Sequence, residues 1–238
     1  MKKFILILIL FVYSNSFSQW SRANAGVDGG IIFSIYAVPS TNTVYCGSNG
    51  SGVFKSTNAG ENWSAVNNGI TDYGFYPTCF TSVGSTVFMG ASYSSTYAGG
   101  MYRSTNEGAS WQKINSGLNG YAKRINKSIS RGSEIYITTD SGVYRSTNNG
   151  SNWLSITTSI NPAPEADGLF FKGDTLYIGT AQGVYYSSGN FSIWTSANTG
   201  LPLEAATSFA FYSGNLYTTI FGDGVFVSSN NGASWTNA

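Results

Sequence analysis

The sequence predicts an all-β fold, a β-propeller of about five four-stranded blades. The first observation is an even series of tryptophans, at intervals of 43, 48, 42, 41 and 41 residues: Trp20, Trp63, Trp111, Trp153, Trp194 and Trp235. A repeat of about 40–45 residues is the length of one four-stranded blade. The second observation is composition, because 16% aromatic and only 10% charged residues, with 29 glycines, suit short strands joined by tight polar turns.

Each repeat contains three strand-like runs before its tryptophan. In the third repeat they read INKSISRG, SEIYITTD and SGVYRST, rich in β-branched and aromatic residues and bounded by Gly, Ser or Asp. A short strand that starts at the tryptophan gives four strands per repeat. A two-sheet sandwich would explain the strands but not the even spacing, and no 3.6-residue helical pattern follows the N-terminal leader. We therefore predict one propeller domain over residues 19–238.

An eight-residue motif joins the third and fourth strands of each predicted blade. It reads STNNGSNW at 146–153, recurs at 56–63, 104–111 and 228–235, and has a weaker copy, SSGNFSIW, at 187–194. Its Asn can close an Asx-turn, and its Gly adopts positive φ without a Cβ clash. We assign a structural role to these residues: Ser56, Asn58, Gly60, Trp63, Ser104, Asn106, Gly108, Trp111, Ser146, Asn148, Gly150, Trp153, Ser187, Trp194, Ser228, Asn230, Gly232 and Trp235.

The motif resembles the Asp-box, or BNR, repeat, of the form Ser/Thr-x-Asp-x-Gly-x-x-Trp, with Asn at the Asp position in four copies. That family of propellers includes sialidases, two-propeller xyloglucan hydrolases, sortilin-like receptors and the photosystem II assembly factor. The resemblance implies that the motif is a turn on the face opposite the ligand site. The copy at 187–194 departs further, with Gly189 and Phe191 at the Asn and Gly positions. We expect that repeat to form a blade with a looser turn.

The N-terminus has the pattern of a secretory signal peptide over residues 1–18. Two lysines precede an apolar run at 4–12, and Ser16 and Ser18 suit cleavage after Ser18. The run is too short for a membrane anchor, which needs roughly 20 residues. We expect a secreted, cell-surface or periplasmic bacterial protein that does not span a membrane once the leader is removed.

Charge and residue types exclude several classes of function. Without the two leader lysines the chain has 10 basic and 11 acidic residues, a net charge of −1, so nucleic acid is not an expected partner. The absence of His excludes Ser-His-Asp triads and His-based metal sites, and we expect no metal and no cofactor. Cys46 and Cys79 could pair in an exported protein, but Cys46 occupies an apolar repeat position, which favours a buried thiol.

The resemblance places a ligand on the face formed by the loops between blades and the loops between second and third strands. Seven of the eleven acidic residues fall in these loops, with aromatic residues of the second repeat beside them. Aromatic rings beside carboxylates suit sugars, cationic peptides or other cations. The alternative is that the charges lie there only because loops are solvated. The predicted ligand-binding residues are Asp28, Asp72, Tyr73, Tyr97, Arg124, Asp140, Asp167, Glu204 and Asp223.

The leading functional hypothesis is a non-catalytic binding or scaffold propeller for a glycan, peptide or protein. Sialidases of the family carry an Arg-Ile-Pro motif and an arginine triad, but this chain has no Arg-Ile-Pro. Arg103 and Arg145 share a repeat position with Lys55 that suits a solvated strand end. The runner-up is a glycoside hydrolase, which needs two carboxylates at a set separation; its candidate acids are Asp72, Asp140, Asp167 and Glu204. An assembly factor is a third alternative, and no catalytic residue is assigned.

The two chain ends give competing predictions for ring closure. Only three residues follow Trp235, whereas Trp20 opens the mature chain with a sequence like that of a fourth strand. The N-terminal segment could complete the last blade, or the chain could be a piece of a larger propeller. We favour the second alternative, because Trp20 and Trp235 would compete for one strand position.

Overall fold

The computed structural model describes residues 23–27, 30–39, 41–92, 98–160 and 164–238. Within these ranges 20 strands form five four-stranded antiparallel sheets, and in each sheet the strands follow one another in space as they do along the chain. This arrangement confirms the predicted all-β fold and the five blades. The predicted leader, 1–18, lies outside the described residues.

The strands divide evenly among the blades. Blade 1 contains β1 (Ile32–Ala37), β2 (Val44–Ser48), β3 (Gly52–Ser56) and β4 (Ser64–Ala65). Blade 2 contains β5 (Pro77–Val83), β6 (Thr86–Ser92), β7 (Ala98–Ser104) and β8 (Gln112–Lys113). Blade 3 contains β9 (Ile125–Arg131), β10 (Glu134–Thr139), β11 (Gly142–Ser146) and β12 (Leu154–Ser155). Blade 4 contains β13 (Ala166–Lys172), β14 (Thr175–Thr180), β15 (Gly183–Ser188) and β16 (Thr195–Ser196). Blade 5 contains β17 (Ala206–Tyr212), β18 (Asn215–Ile220), β19 (Gly224–Ser228) and β20 (Thr236–Asn237).

The fourth strand of every blade begins directly after the motif tryptophan and is two residues long. Short 3-10 helices at Asp72–Phe75 and Gly120–Lys123 lead into blades 2 and 3. None of the described helices is long and apolar enough to cross a membrane.

The blades stack face to face, and their first strands pack in sequence, β1 on β5, β5 on β9, β9 on β13 and β13 on β17. We call the face of a blade that points to the next blade along the chain its forward face, and the opposite one its backward face. Tyr45 on the forward face of blade 1 contacts Phe80 and Trp111 on the backward face of blade 2, with ring centroids 6.0 and 6.2 Å apart. The hydrophobic core therefore lies between the blades rather than within one of them.

Glycines in the second strands let neighbouring blades approach closely. A Cβ placed on Gly90 would lie 2.4 Å from Ile125 Cγ2 of blade 3, and one on Gly47 would lie 2.6 Å from Pro77 Cβ of blade 2. A Cβ on Gly179 would lie 2.2 Å from the Ala206 carbonyl oxygen of blade 5. These positions leave no room for a side chain.

The segment after each tryptophan packs against the tryptophan of the next blade. The Trp111 amide donates to the Asn68 carbonyl at 2.8 Å, and the Trp235 amide donates to Thr199 at 2.9 Å. Residues 23–27 occupy the same position in front of blade 1, because the Trp63 amide donates to the Ala25 carbonyl at 2.8 Å. The outer strand of blade 5 is formed by β20, and Trp20 lies outside the described residues.

Both cysteines are buried free thiols. Cys46 packs beside Phe54 and Trp63 in blade 1, whereas Cys79 belongs to the core between blades 2 and 3. Burial raises the pKa of Cys46 to about 11 and also raises that of Cys79. Neither thiol is therefore a nucleophile near neutral pH.

Candidate ligand-binding face

The connections between strands lie at two opposite edges of the blades. The eight-residue motifs lie between third and fourth strands at one edge, which we call the motif face. The turns between second and third strands and the connections between blades lie at the other edge, which we call the loop face. Antiparallel pairing within each sheet places these two sets of connections at opposite ends of the strands.

On the motif face, the side chains hold the turn through a repeated set of hydrogen bonds. Ser146 Oγ accepts from the Gly150 amide at 2.9 Å, and Asn148 Oδ1 accepts from the Asn152 amide at 2.9 Å. The same bonds recur at the copies that begin at Ser56, Ser104 and Ser228. The Trp153 indole donates to the Ile114 carbonyl of the preceding blade at 2.8 Å. The Ser, Asn and Trp side chains that recur in the motif are thus used in the turn or in the junction between blades.

The weaker copy at 187–194 forms a differently bonded turn rather than a looser version of the same one. Ser187 Oγ donates to the Ile193 carbonyl, and Phe191 adopts φ 59° at the position where the other copies have glycine. The Phe191 ring is buried and packs against Tyr136 and Trp194 at centroid distances of 5.7 and 6.3 Å. The Trp194 indole still donates to the preceding blade, at Ile156, at 2.7 Å.

The basic residues beside the motif link consecutive blades, which corrects their interpretation as solvated strand ends. Lys55 Nζ of blade 1 donates to the Glu107 carbonyl of blade 2 at 2.9 Å. Arg103 Nη1 of blade 2 donates to the Asn149 carbonyl of blade 3 at 2.9 Å. Arg145 pairs with Glu134 in its own blade, and its guanidinium lies 5.8 Å from the Phe191 ring centroid of blade 4.

On the loop face, charged side chains converge between blades 3 and 4. Arg124, which directly precedes β9, forms an ion pair with Asp140 in the turn after β10, and both side chains are largely buried. Asn126 Nδ2 donates to Asp140 Oδ1 and to the Ala166 carbonyl of blade 4, each at 3.0 Å. Glu165 and Asp167 flank Ala166 at the start of β13. We call Arg124, Asn126, Lys127, Asp140, Glu165 and Asp167 the blade 3–4 cluster.

The carboxylates of this cluster perturb one another. Burial raises the pKa of Asp167, Asp140 raises it further, and Lys127 partly offsets the shift. Partial burial raises the pKa of Glu165 as well, with contributions from Asp140 and Asp167 that Arg124 opposes. Burial is the largest cause of both shifts, so the pKa values do not measure the charge of the cluster. The excess of negative charge follows from its composition, because the three carboxylates of Asp140, Glu165 and Asp167 accompany only two cations, Arg124 and Lys127.

Lys127 is directed across the propeller axis. Its Nζ donates to the Thr207 carbonyl of blade 5 at 2.8 Å. Lys127 also borders a central cavity of about 310 Å³, lined by the first strands of blades 1 to 4 and including Phe33, Ile35 and Leu169. Asn126 and Lys127 of the cluster therefore lie at the wall of a cavity of mixed polar and apolar lining between the first strands.

Three of the nine predicted ligand-binding residues meet in the cluster: Arg124, Asp140 and Asp167. Asp72 and Tyr73 lie in the 3-10 helix that leads into blade 2, where Asp72 pairs with Lys113 at 3.5 Å. Glu204 and Asp223 are exposed in loops of blade 5. Asp28 and Tyr97 lie outside the described residues.

Glu165, Asn126 and Lys127 are cluster residues absent from the predicted set. Glu165 lies two residues before Asp167, in the connection between blades 3 and 4. That position in an inter-blade connection could have added Glu165 to the predicted ligand-binding residues. Asn126 and Lys127 lie inside β9, and nothing in a strand sequence distinguishes them from ordinary solvated residues. Among the described residues, no group of three or more His, Cys, Asp or Glu side chains is arranged to hold a metal ion.

Comparison with known proteins identifies the fold. No protein-family model matches the chain, and no curated protein matches its sequence. Among solved structures, the GH74 xyloglucanase from Xanthomonas campestris matches at TM-score 0.69 and 15% identity, over 90% of this chain and 38% of that one. The extracellular domain of a hybrid two-component system from B. thetaiotaomicron matches at TM-score 0.68 and 16% identity, over 87% of this chain and 27% of that one.

YCF48 bound to D1 peptide matches at TM-score 0.61 and 14% identity, over 90% of this chain and 72% of that one. The chain thus spans about a third of the length of the GH74 enzymes and almost three quarters of YCF48. These likenesses show a β-propeller fold that is shared with GH74 enzymes, the extracellular domain of a two-component system and YCF48.

Proposed function

We propose that this chain is an exported, non-catalytic binding propeller that holds a peptide or protein through a cationic side chain at the blade 3–4 cluster. The observation that carries the proposal is the excess of carboxylate there, with Glu165 and Asp167 at raised pKa beside the Arg124–Asp140 pair. A lysine or arginine of a ligand would neutralise this charge, and the exposed ring of Tyr121, on which Arg124 already stacks at 4.6 Å, borders the same place. The peptide bound by YCF48 is a precedent on the same fold.

Residues 1–18 are proposed to direct export, which would place the remaining propeller in the periplasm, on the cell surface or outside the cell. Sequencing the N-terminus of protein recovered from the exported fraction tests this part. A first residue of Gln19 is the expected result, and an intact Met1 would refute it.

The binding site is tested with charge-neutralising variants and a labelled peptide. A peptide array rich in Lys and Arg would supply the tightest-binding probe, and its affinity would be measured by fluorescence anisotropy. We expect the E165Q/D167N double variant to bind the probe at least about tenfold more weakly, a loss of about 1.4 kcal/mol.

The matched control is the double variant E204Q/D223N. It removes the same two charges from exposed loop positions in blade 5, away from the cluster. We expect its affinity to change less than about twofold, since long-range attraction between exposed charges is screened by salt. Equal losses in both variants would show general electrostatic attraction rather than a site, and absence of any binding by the unmodified chain would refute the cationic-peptide proposal.

The raised pKa of Asp167 also predicts a gain in stability when its charge is removed. As pH rises, the unfolded chain ionises this carboxyl first, at about pH 3.9, so the folded state loses relative stability above that pH. D167N should therefore raise the free energy of unfolding at pH 7 by less than about 1 kcal/mol and have no effect near pH 3. Urea unfolding of the parent and of D167N at both pH values measures the difference in the free energy of unfolding. A D167N variant that is less stable than the parent at pH 7 would contradict the raised pKa of Asp167.

A glycoside hydrolase remains the second candidate, because a half-buried carboxyl of raised pKa beside another carboxylate is also the arrangement of a general acid. Incubation with a panel of chromogenic β-glycosides and xyloglucan separates the two functions. Release of product that is lost in D167N would support the enzyme, and peptide binding without turnover supports the binding propeller.

A further inference from the structure

A cavity of about 250 Å³ lies between blades 1 and 2 on the motif face, at the opposite edge from the blade 3–4 cluster. The connection from β1 to β2 forms one wall, and the turn after β5 and the motif of blade 2 form the other. We call it the blade 1–2 pocket, and its main side chains are Val38, Pro39, Tyr45, Val87 and Glu107. Its volume is below the roughly 300–1,000 Å³ of pockets that hold drug-sized ligands, so its occupant is the size of a single ring.

The pocket exists because blade 1 departs from the repeat. Residues 38–43 join β1 to β2, whereas the equivalent connections are residues 84–85 in blade 2 and 173–174 in blade 4. The longer connection brings the apolar side chains of Val38 and Pro39 into the same lining as Val87 of blade 2. Blades 2 and 4 form without this extension, so the repeat itself does not require it.

Tyr45 brings a buried hydroxyl to the pocket without a partner. The residue is 1% exposed, and among the described residues no group forms a hydrogen bond with its hydroxyl. The equivalent hydroxyl in blade 4, that of Tyr177, donates to the Asn231 carbonyl of blade 5 at 3.0 Å. In blade 1, Lys55 Nζ takes the equivalent carbonyl, that of Glu107, at 2.9 Å. A buried hydroxyl without a partner costs stability, and a ligand oxygen in the pocket would remove that cost.

Glu107 is the polar group at the rim of the pocket. It has a left-handed backbone, φ 55°, at a position where two other copies of the motif have Asn149 and Asn231. A short Asn side chain tolerates this geometry better than a long one, so a glutamate here indicates a role beyond the turn. Its Oε2 pairs with Lys55 Nζ at 3.2 Å, and its side chain is 76% exposed, which leaves Oε1 accessible as an acceptor.

We propose that the blade 1–2 pocket binds one neutral sugar ring, such as the terminal pyranose of a glycan. The C–H face of the ring packs on Val38, Pro39 and Val87. One ring oxygen accepts a hydrogen bond from the Tyr45 hydroxyl, and a sugar hydroxyl donates to Glu107. Burial raises the pKa of Tyr45 to about 12, with a further contribution from Glu107, so the phenol stays a donor at neutral pH.

Other classes of ligand fit this pocket less well. A cation gains little from Glu107, because Lys55 already pairs with that carboxylate, and an anion is repelled by it. A wholly apolar ligand would leave the Tyr45 hydroxyl without a partner. The pocket is therefore chemically distinct from the blade 3–4 cluster, which has an excess of negative charge, and it does not rest on the peptide-binding proposal.

The test is a titration of the 15N-labelled chain with the methyl glycosides of glucose, galactose, mannose and xylose, followed by amide chemical shifts. A single ring has few atoms, so we expect a dissociation constant of about 1–10 mM for at least one of them. The amides that shift should be those of Thr43, Tyr45, Ser85 and Glu107. Absence of any shift up to about 100 mM sugar, or shifts confined to the loop face, would overturn the proposal.

The Y45F variant removes only the hydroxyl that we assign to sugar binding. We expect it to bind the same sugar about three- to tenfold more weakly and to unfold at the same urea concentration as the parent, since no internal hydrogen bond is lost. The matched control is Y177F, which loses the bond to the Asn231 carbonyl. It should unfold at a lower urea concentration and bind the sugar as the parent does. Parent-like affinity in Y45F would contradict the site.

The E107N variant gives blade 2 the residue that blades 3 and 5 carry at this position of the motif. We expect at least about tenfold weaker sugar binding, because a hydrogen bond to a charged acceptor is lost. The turn should remain intact, because Asn suits its left-handed backbone. Unchanged affinity in E107N would likewise overturn the proposal. Binding of the Lys- and Arg-rich peptide to Y45F and E107N should match that of the parent, so the two sites are tested separately.

Discussion

At the scale of single residues, the motif turn works with Asn because its role there is to accept hydrogen bonds. Asn148 Oδ1 accepts from the Ser146 hydroxyl at 3.0 Å and from the Asn152 amide at 2.9 Å, and an amide oxygen serves as well as a carboxylate. In two copies the amide nitrogen donates a further bond, from Asn106 to Ser110 at 2.9 Å and from Asn230 to Ser234 at 2.8 Å, where an Asp could only accept from the serine hydroxyl. These residues serve the turn, so we look for function elsewhere.

Phe191 shows how one blade keeps its shape with a different turn. Replacing Phe191 with glycine would remove the strain of a left-handed phenylalanine, roughly 1–2 kcal/mol, but would empty the space its ring fills. Loss of a buried phenylalanine side chain costs about 3–5 kcal/mol, so we expect F191G to destabilise the chain by about 2–3 kcal/mol in urea unfolding.

The control for this prediction is N149G, at an exposed position with nearly the same backbone, φ 58°. It should change the free energy of unfolding by less than about 0.5 kcal/mol. An F191G chain as stable as the parent would show that the ring contributes no net stability to the junction of blades 3 and 4.

At the scale of strands, glycines in the second strand set the distance between blades, because the next blade packs where a side chain would otherwise lie. Gly90 does not adopt a positive φ, so backbone freedom is not the reason for a glycine here. Glycine is required because it has no side chain and so leaves room for blade 3. A Cβ at this position would lie 2.4 Å from Ile125 Cγ2 and 2.7 Å from Cys79 Sγ. The sequence pattern predicted this strand correctly but carried no sign that this glycine faces another blade.

Gly90→Ala should therefore destabilise the chain by about 1–3 kcal/mol through overpacking. Combining it with I125A, which removes the Cγ2 methyl group at the contact, should recover part of the loss, so that the double variant is less destabilised than the sum of the two singles. The control is G30A, since Gly30 has ordinary backbone geometry and open space around its Cβ direction. Strict additivity of G90A and I125A in urea unfolding would contradict the proposed contact.

At the scale of the whole molecule, the sequence predicted the repeat well and the site only in part. Tryptophan spacing fixes the length of a blade, and the strand runs follow from composition, so the fold class and five blades were accessible. The blade 3–4 cluster needed the structure, because Arg124 meets Asp140 across a sheet edge and Glu165 and Asp167 arrive from another blade. Asp72 and Glu204 also lie in connections between blades, but at blades 2 and 5, so the type of loop alone could not predict which acids meet.

The exposed end faces also predict a gradient of stability along the chain. In a repeat protein each unit is stabilised mainly by its neighbours, so blade 3, covered on both faces, should open least often. Its core residues Ile125, Ile135 and Val143 are fully buried, whereas Ile35 in blade 1 and Val225 in blade 5 are exposed.

Amide hydrogen exchange followed by mass spectrometry at low protein concentration measures this gradient. We expect amides of β2 and β18 to exchange at least about tenfold faster than those of β10, a difference of about 1.4 kcal/mol in opening free energy. Uniform protection from β2 to β18 at low concentration would mean that the five blades open as one cooperative unit, with no contribution from the uncovered ends.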